Sequence, residues 1–99
     1  MSRAVDAAIE RCQPGVRLKV VEHTYRPQLV GTVRTIVRRD PLSPRLMETV
    51  DDGQEGAMEL AGTNLEWLDV DTIRYPIFNR RRSNGTRHTI TLRFLPAAR

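Results

Sequence analysis

The stretch that decides the fold is residues 73–95, IRYPIFNRRRSNGTRHTITLRFL. Two runs of alternating apolar and polar residues flank Asn84-Gly85 in this stretch. The dipeptide is the strongest short-range signal of a β-hairpin, because a type I′ turn needs positive φ at both central residues. A turn at Asn84-Gly85 predicts a register in which Arg82 faces Arg87, Arg81 faces His88, Ile77 faces Leu92 and Tyr75 faces Phe94.

The predicted hairpin has one apolar face and one basic face, because side chains alternate across a strand. The apolar face, expected to point into the core, holds Tyr75, Ile77, Ile90, Leu92 and Phe94. The basic face holds Arg74, Phe78, Arg80, Arg82, Arg87 and Arg93. Like charges directly opposite each other destabilise a strand pair. Either acidic groups of the fold or a bound anion must therefore compensate these arginines.

The charges of the chain are segregated along its length. Its 99 residues carry a net charge of +4. Residues 1–45 hold nine basic and four acidic side chains, residues 46–73 hold eight acidic and no basic ones, and residues 74–99 hold seven arginines and no acid. Such asymmetry is typical either of a surface that binds a polyanion or of charge pairing within the fold. The sequence leaves both interpretations open.

Length and composition predict one soluble domain that spans residues 1–99. No apolar run approaches transmembrane length, and the N-terminal residues lack the apolar stretch of a signal peptide. We therefore expect a cytoplasmic protein. The single cysteine, Cys12, cannot form a disulfide framework or a metal cluster by itself, and we expect it to be buried as a small apolar side chain.

The chain pattern predicts an N-terminal helix followed by short strands. Residues 2–12 place apolar side chains on one face at helical spacing, and Pro14-Gly15 ends the helix, which we expect to cover an open end of the sheet. Strands are predicted at 16–23, 29–39, 46–50, 57–61, 65–68 and from residue 72 onward, with an exposed acidic turn at 51–56. The alternation slips between Val33 and Ile36, which predicts a bend or a bulge there. Five to seven short strands at close spacing favour a small barrel over residues 16–95.

Residues 15–38 carry a recognisable pattern. An alternating strand, Gly15 to Val21, is followed by a loop and by residues 31–36, GTVRTI, which fit Gly-x-Val-x-x-Val with isoleucine in the last position. This order resembles the opening of an SH3-like barrel of the KOW and Tudor-like branches. The resemblance implies a mainly-β fold, a small SH3-like barrel extended by an N-terminal helix and a long C-terminal hairpin. It also implies a binding module, since domains of this class mostly bind nucleic acid or protein.

The arginine-rich hairpin predicts a nucleic-acid or anion site. Guanidinium groups neutralise phosphates, and an aromatic ring among them can stack on a base. The residues expected to form this site are Arg80, Arg81, Arg82, Arg87, His88 and Phe78. The loop after the first strand offers a possible rim of the site, formed by His23, Tyr25 and Arg26. Arg74 and Arg93, farther from the turn, are expected to pair with acids inside the fold.

Three alternatives compete with nucleic-acid binding. The chain could be a protein-interaction or assembly module of an accessory, phage or mobile-element type, binding an acidic protein surface or a second copy of itself. Residues 46–71 could instead lie across the arginine face and neutralise it. A ribonuclease-type activity is the third alternative. No nucleophile motif, phosphate loop or metal-ligand spacing occurs, so we expect no enzyme, no cofactor and no metal site. The acid pairs Asp51/Asp52 and Asp69/Asp71 are expected to be solvated turn residues.

Overall fold

One antiparallel sheet of seven strands makes up most of the protein, and one helix packs against it. The computed structural model describes residues 3–43, 45–60, 64–78 and 87–96. The elements in chain order are helix α1 (Arg3–Arg11), strand β1 (Arg17–His23), a short 3-10 helix (Pro27–Leu29), and strands β2 (Val33–Arg39), β3 (Leu46–Asp51), β4 (Gln54–Glu59), β5 (Glu66–Asp69), β6 (Thr72–Phe78) and β7 (Arg87–Phe94). The predicted mainly-β class with one N-terminal helix is confirmed.

The strands follow the order β4-β3-β2-β1-β7-β6-β5 across the sheet. The first and last strands of the chain thus pair at its centre, where Leu18 faces Phe94 and His23 faces Ile90. A register shift between Val20 and Glu22 marks a β-bulge in this pair. The antiparallel pairings bring the end of β1, the start of β2 and the β3–β4 turn to the same end of the sheet as the end of β6 and the start of β7.

The helix is held on the sheet by its apolar face and by one tryptophan. Val5, Ala8 and Cys12 are fully buried. The indole Nε1–H of Trp67 donates a hydrogen bond of 3.0 Å to the carbonyl oxygen of Ala4. Cys12, directly after α1, is a core residue as predicted, and its burial raises the pKa of the thiol to about 12. No helix in the described ranges is long and apolar enough to cross a membrane.

The core is one cluster of buried side chains contributed by the N-terminal segment and by the strands. Its members are Val5, Ala8, Cys12, Leu18, Val20, Ile36, Met47, Met58, Leu60, Leu65, Ile73, Tyr75, Ile90, Leu92 and Phe94. The apolar face predicted for the C-terminal hairpin is confirmed, since Tyr75, Ile90, Leu92 and Phe94 are buried and Ile77 packs against them.

The predicted register of the C-terminal hairpin is wrong by four residues. Tyr75 faces Ile90 and not Phe94, Ile77 faces His88 and not Leu92, and Phe78 faces Arg87. Arg87 and His88 therefore do not face Arg82 and Arg81. A shift of four residues is even, so the described side chains of β6 and β7 stay on their predicted faces. The apolar pattern that defined the two faces could not separate the two registers. The turn proposed at Asn84-Gly85 lies outside the described residues.

Two strand boundaries also differ from the prediction. The second strand begins at Val33, because Pro27–Leu29 form a 3-10 turn before it. The fourth begins at Gln54, so the predicted six-residue acidic turn shrinks to Asp52-Gly53. Both turn residues have positive φ, 49° for Asp52 and 87° for Gly53, as a type I′ turn requires. The turn type predicted for Asn84-Gly85 thus occurs at this second dipeptide, whose Asp-Gly sequence is an equally strong hairpin signal.

Candidate functional site

A cavity of about 710 Å³ opens at the end of the sheet where β1 ends and β2 begins. Its volume lies within the range of small-molecule sites. The lining residues come from the loop after β1, the start of β2, the β3–β4 hairpin and β6: His23, Tyr25, Arg26, Leu29, Thr32, Arg34, Asp51, Asp52, Gln54, Glu55, Gly56, Ala57 and Ile77. The three residues predicted as a possible rim therefore line one cavity, and acidic residues of the β3–β4 hairpin contribute to the same lining.

The ring of Tyr25 connects this cavity with the C-terminal hairpin. Its centroid lies 4.9 Å from that of His88, with the two rings tilted by 58°. The guanidinium carbon of Arg26 lies 5.6 Å from the Tyr25 ring centroid, within the range of a cation–π contact. Tyr25, Arg26 and His88, which the sequence assigned to two separate places, thus form one surface, here called the ring platform.

Backbone pairing explains why the platform forms. The N–H of Thr24 donates to the carbonyl oxygen of Thr89 at 3.0 Å. The N–H of Thr89 in turn donates to the hydroxyl oxygen of Thr24 at 2.8 Å. These bonds continue the β1–β7 pairing beyond His23 and hold the start of the loop against β7. Tyr25 follows directly and is placed beside the ring of His88.

His23 lies beneath the platform and is neutral. Its side chain is 5% exposed, and its Nδ1 accepts a hydrogen bond of 3.0 Å from the backbone N–H of Arg26. Burial lowers the pKa of His23, and the positive charge of Arg34 lowers it further. Because Nδ1 is an acceptor, the neutral ring carries its proton on Nε2. His23 therefore fixes the loop that carries Tyr25 and Arg26.

A buried arginine and a carboxylate lie among the lining residues. Arg34 is 8% exposed, and its Nε lies 3.8 Å from Oδ2 of Asp51, with which it also pairs across β2 and β3. The hydroxyl of Thr49 donates to Oδ1 of Asp51 at 2.6 Å. Opposite charges at this distance attract, but 3.8 Å exceeds hydrogen-bond length. The guanidinium and the carboxylate are thus neighbours that do not hydrogen-bond to each other through Nε and Oδ2.

Gly56 leaves the space that the Asp51 carboxylate occupies. It faces Thr49 across β3 and β4. A Cβ on Gly56 would lie 2.9 Å from Cγ of Asp51 and closer still to Oδ2. Any larger residue at position 56 would have to displace the carboxylate. Thr49 and Gly56 together set where the charge of Asp51 lies in the cavity.

Arg34 and Asp51 were not predicted as site residues. Asp51 was expected to be a solvated turn residue, but it ends β3 and is partly buried. For Arg34, a signal was available in the sequence. It precedes Ile36 by two residues and so shares its inward face. The alternation slips between Val33 and Ile36 because Arg34 occupies an inward position that is usually apolar. The register shift in β2 lies farther along the strand, between Ile36 and Arg38.

Several predicted site residues fall outside the described part of the chain. Arg80, Arg81 and Arg82 lie there, as do the side chains of Phe78 and Arg87, whose backbones pair with each other. His88 is therefore the residue of the predicted hairpin site whose side chain the structure describes.

The acid-only segment pairs with arginines in several parts of the chain. The ion pairs among the described residues are Arg11–Asp71 at 3.1 Å, Arg34–Asp51 at 3.8 Å, Arg38–Glu48 at 2.8 Å and Arg74–Glu66 at 2.5 Å. All four carboxylates belong to residues 46–71, and three of the four arginines belong to residues 1–45. The predicted internal pairing of Arg74 is confirmed. Arg93 is not in an ion pair within the described ranges, although its charge helps to lower the pKa of Asp69 after hydrogen bonds from the Asp71 N–H and the Thr72 side chain.

Comparison of the chain with protein-family models, with curated proteins and with solved structures found no match.

Proposed function

We propose that this protein is a non-enzymatic module that binds nucleic acid. The contacts are made by the ring platform and by the arginines of the C-terminal hairpin, Arg80, Arg81, Arg82 and Arg87. The observation that carries the proposal is the contact of Tyr25 with His88 at 4.9 Å, with Arg26 beside the same ring. It joins stacking groups and a cation beside β7, which follows the arginine run in the sequence.

The platform favours a single strand over a duplex. Bases in a duplex stack on one another, whereas unpaired bases stack on protein rings, at about 1–3 kcal/mol for each base. Tyr25 is partly exposed and Arg26 is exposed. A base on the Tyr25 ring would place its phosphate within reach of a guanidinium, which is the usual combination in single-strand sites.

We also propose that the fold belongs to the SH3-like class. The β1–β2 pair spans the residues that resemble the opening of such a barrel. All strand pairings are antiparallel, and the first and last strands of the chain are neighbours. Both features support the class, and they place the ring platform where β1 and β7 meet.

Titration against labelled single-stranded and duplex DNA and RNA at several salt concentrations tests the proposed binding. Each neutralised phosphate should add about 0.7 to 0.9 to the slope of log affinity against log salt. We expect single strands to bind more tightly than duplexes. Absence of binding to any of them at low salt would overturn the proposal. Cleavage of the RNA during the titration, lost in His88→Ala, would replace the binding module with a ribonuclease.

Two charge-matched variants show whether binding depends on the hairpin arginines or only on the net positive charge of the protein. Replacing Arg80, Arg81 and Arg82 by glutamine should reduce the salt slope by about 2 to 3. The matched control replaces Arg38 and Arg39 on β2 and Arg45, directly before β3, by glutamine. It removes the same charge and should change the slope much less. Equal losses in both variants would show that the hairpin has no special role.

A further inference from the structure

We infer that the cavity takes a guanine base of a bound single strand, recognised by Arg34 and Asp51. The inference rests on the proposed function, which it deepens by naming the base. Arg34 has nine-tenths of its surface buried and lines the cavity together with Asp51. Buried charges are expensive unless they are paired or serve a site, and this pair is in contact with open cavity volume.

The chemistry of the pair matches one base. Arginine offers only hydrogen-bond donors, and an ionised carboxylate offers only acceptors. The Watson–Crick edge of guanine presents the O6 acceptor beside two adjacent donors, N1–H and the N2 amino group. Adenine and cytosine present one amino donor on that edge, and uracil and thymine present one N–H. Guanine is therefore the base that gives both oxygens of Asp51 a donor while O6 faces Arg34.

The carboxylate is held in place before any ligand arrives. One oxygen accepts the Thr49 hydroxyl at 2.6 Å, and the other lies over Gly56, where no side chain competes for the space. An ionised carboxylate has about four lone-pair directions, so it can still accept two more hydrogen bonds. Such fixed acceptors discriminate bases better than mobile surface groups, because little conformational entropy is lost on binding.

The ring platform adjoins the cavity that takes this base. Tyr25 and Arg26 line the same cavity as Arg34 and Asp51. One nucleotide can stack on Tyr25 while its neighbour enters the cavity, and the phosphate between them faces Arg26. This arrangement converts a stacking surface that tolerates any base into a site with one preferred position.

Fluorescence anisotropy with the wild-type protein tests the preference. The probes are a labelled short oligo-dT strand and the same strand with one central guanine, adenine or cytosine. A well-placed bidentate contact discriminates bases by about fivefold or more, so the guanine strand should bind at least about fivefold tighter than the others. Amide chemical shifts of Thr49 and Gly56 should move with the guanine strand, which reports on the cavity without any substitution. Free GMP is titrated in parallel.

Two charge-matched variants locate the effect. Asp51→Asn replaces one acceptor oxygen by a donor amide and should remove the guanine preference. Glu59→Gln makes the same charge change on an exposed residue of β4 and should keep it. Circular dichroism checks that Asp51→Asn, which removes the ion-pair partner of Arg34, is folded. If Asp51→Asn is unfolded, the amide chemical shifts of Thr49 and Gly56 in the wild-type protein show whether guanine enters the cavity.

The outcomes separate this inference from the function on which it rests. Equal, salt-dependent binding of all four strands would overturn the guanine site and leave the proposed nucleic-acid binding intact. No binding of any strand at low salt would overturn both. If GMP changes the chemical shift of the Gly56 amide and no strand binds, the ligand is a free nucleotide. That result would overturn the inference that the guanine belongs to a single strand.

Discussion

At the scale of single residues, His23 illustrates how burial and charge act together. It ends β1, its ring is buried, and its Nδ1 accepts the N–H of Arg26. Burial, followed by the charges of Arg34, Arg26 and His88, holds the pKa of this histidine below its ordinary value of 6.5. The consequence is a contribution of this side chain to the pH dependence of folding stability.

We predict that acid destabilises the protein through His23. The unfolded chain takes up a proton on this residue near pH 6.5, whereas the folded chain stays neutral to lower pH. The unfolded state then binds more protons, so the free energy of unfolding falls as the pH drops below about 6.5 and is fully retained above it. Urea unfolding from about pH 7 to pH 5 measures this slope. His23→Asn, which retains an acceptor, should flatten it, and an unchanged slope in that variant would contradict the assignment.

The sequence predicts the apolar residues of the site region better than its charged ones. Leu18, Val20 and Ile90 follow from alternation alone, because one buried face imposes a period of two. Arg34 has the same inward period, but an arginine in a strand is usually exposed. Its ion-pair partner is Asp51, which is 17 residues away in sequence. Alternation with Ile36 therefore indicates that Arg34 faces inward, but a short pattern does not show which acid lies beside it, because pairing between strands is not a local property.

At the scale of elements, the β3–β4 hairpin depends on its two-residue turn. Gly53 has a φ of 87°, a conformation that costs residues with a side chain about 1–2 kcal/mol. We predict that Gly53→Ala lowers the free energy of unfolding by that amount, measured by urea denaturation. Gln54→Ala, on the adjacent exposed position, is the control and should change stability by less than about 0.5 kcal/mol. Equal effects would argue that the strained φ does not matter.

The attachment of α1 gives a second prediction for an element. Trp67 stacks on Phe94 with ring centroids 5.8 Å apart and donates to Ala4. Trp67→Phe keeps an aromatic ring but removes the donor, so we expect a loss of about 1 kcal/mol in the free energy of unfolding. Denaturation followed by circular dichroism measures it. Val70→Ala, at a position that is 82% exposed, is the control and should have little effect.

The positions of the helix and strands were predicted more reliably than the register between the strands. The helix and the first two strands carry clear periodic signals, residues 45–61 are less regular, and the register of β6 and β7 was derived from one dipeptide. Both registers bury Tyr75 and Leu92, because they differ by an even number of residues. The period of two therefore fixes the faces of the two strands but not their register.

At the scale of the whole molecule, four of the eight acids of residues 46–71 pair with arginines within the described part of the chain. Their partners are Arg11, Arg34, Arg38 and Arg74. Three of these pairs are well exposed, and exposed pairs contribute little to stability. Their effect is instead to reduce the acidic surface that could attract the arginines of a second copy.

We therefore predict a monomer at all salt concentrations. Light scattering should give a mass close to 11.3 kDa at both low and high salt. Self-assembly through opposite charges would instead give a larger mass at low salt that falls as salt screens the contacts. That result would favour the assembly module, and a Glu66→Gln variant would then show whether the acidic segment forms the contact.

The neighbouring position of β1 and β7 also constrains how the chain reaches its folded state. β2, β3 and β4 can pair with partners that are adjacent in sequence, but the centre of the sheet closes only when β7 reaches β1. Contacts between such distant segments slow folding, since a long loop must close before they form. During synthesis, one edge of β1 stays unpaired until β7 has been made. Ile90, Leu92 and Phe94 then complete the core.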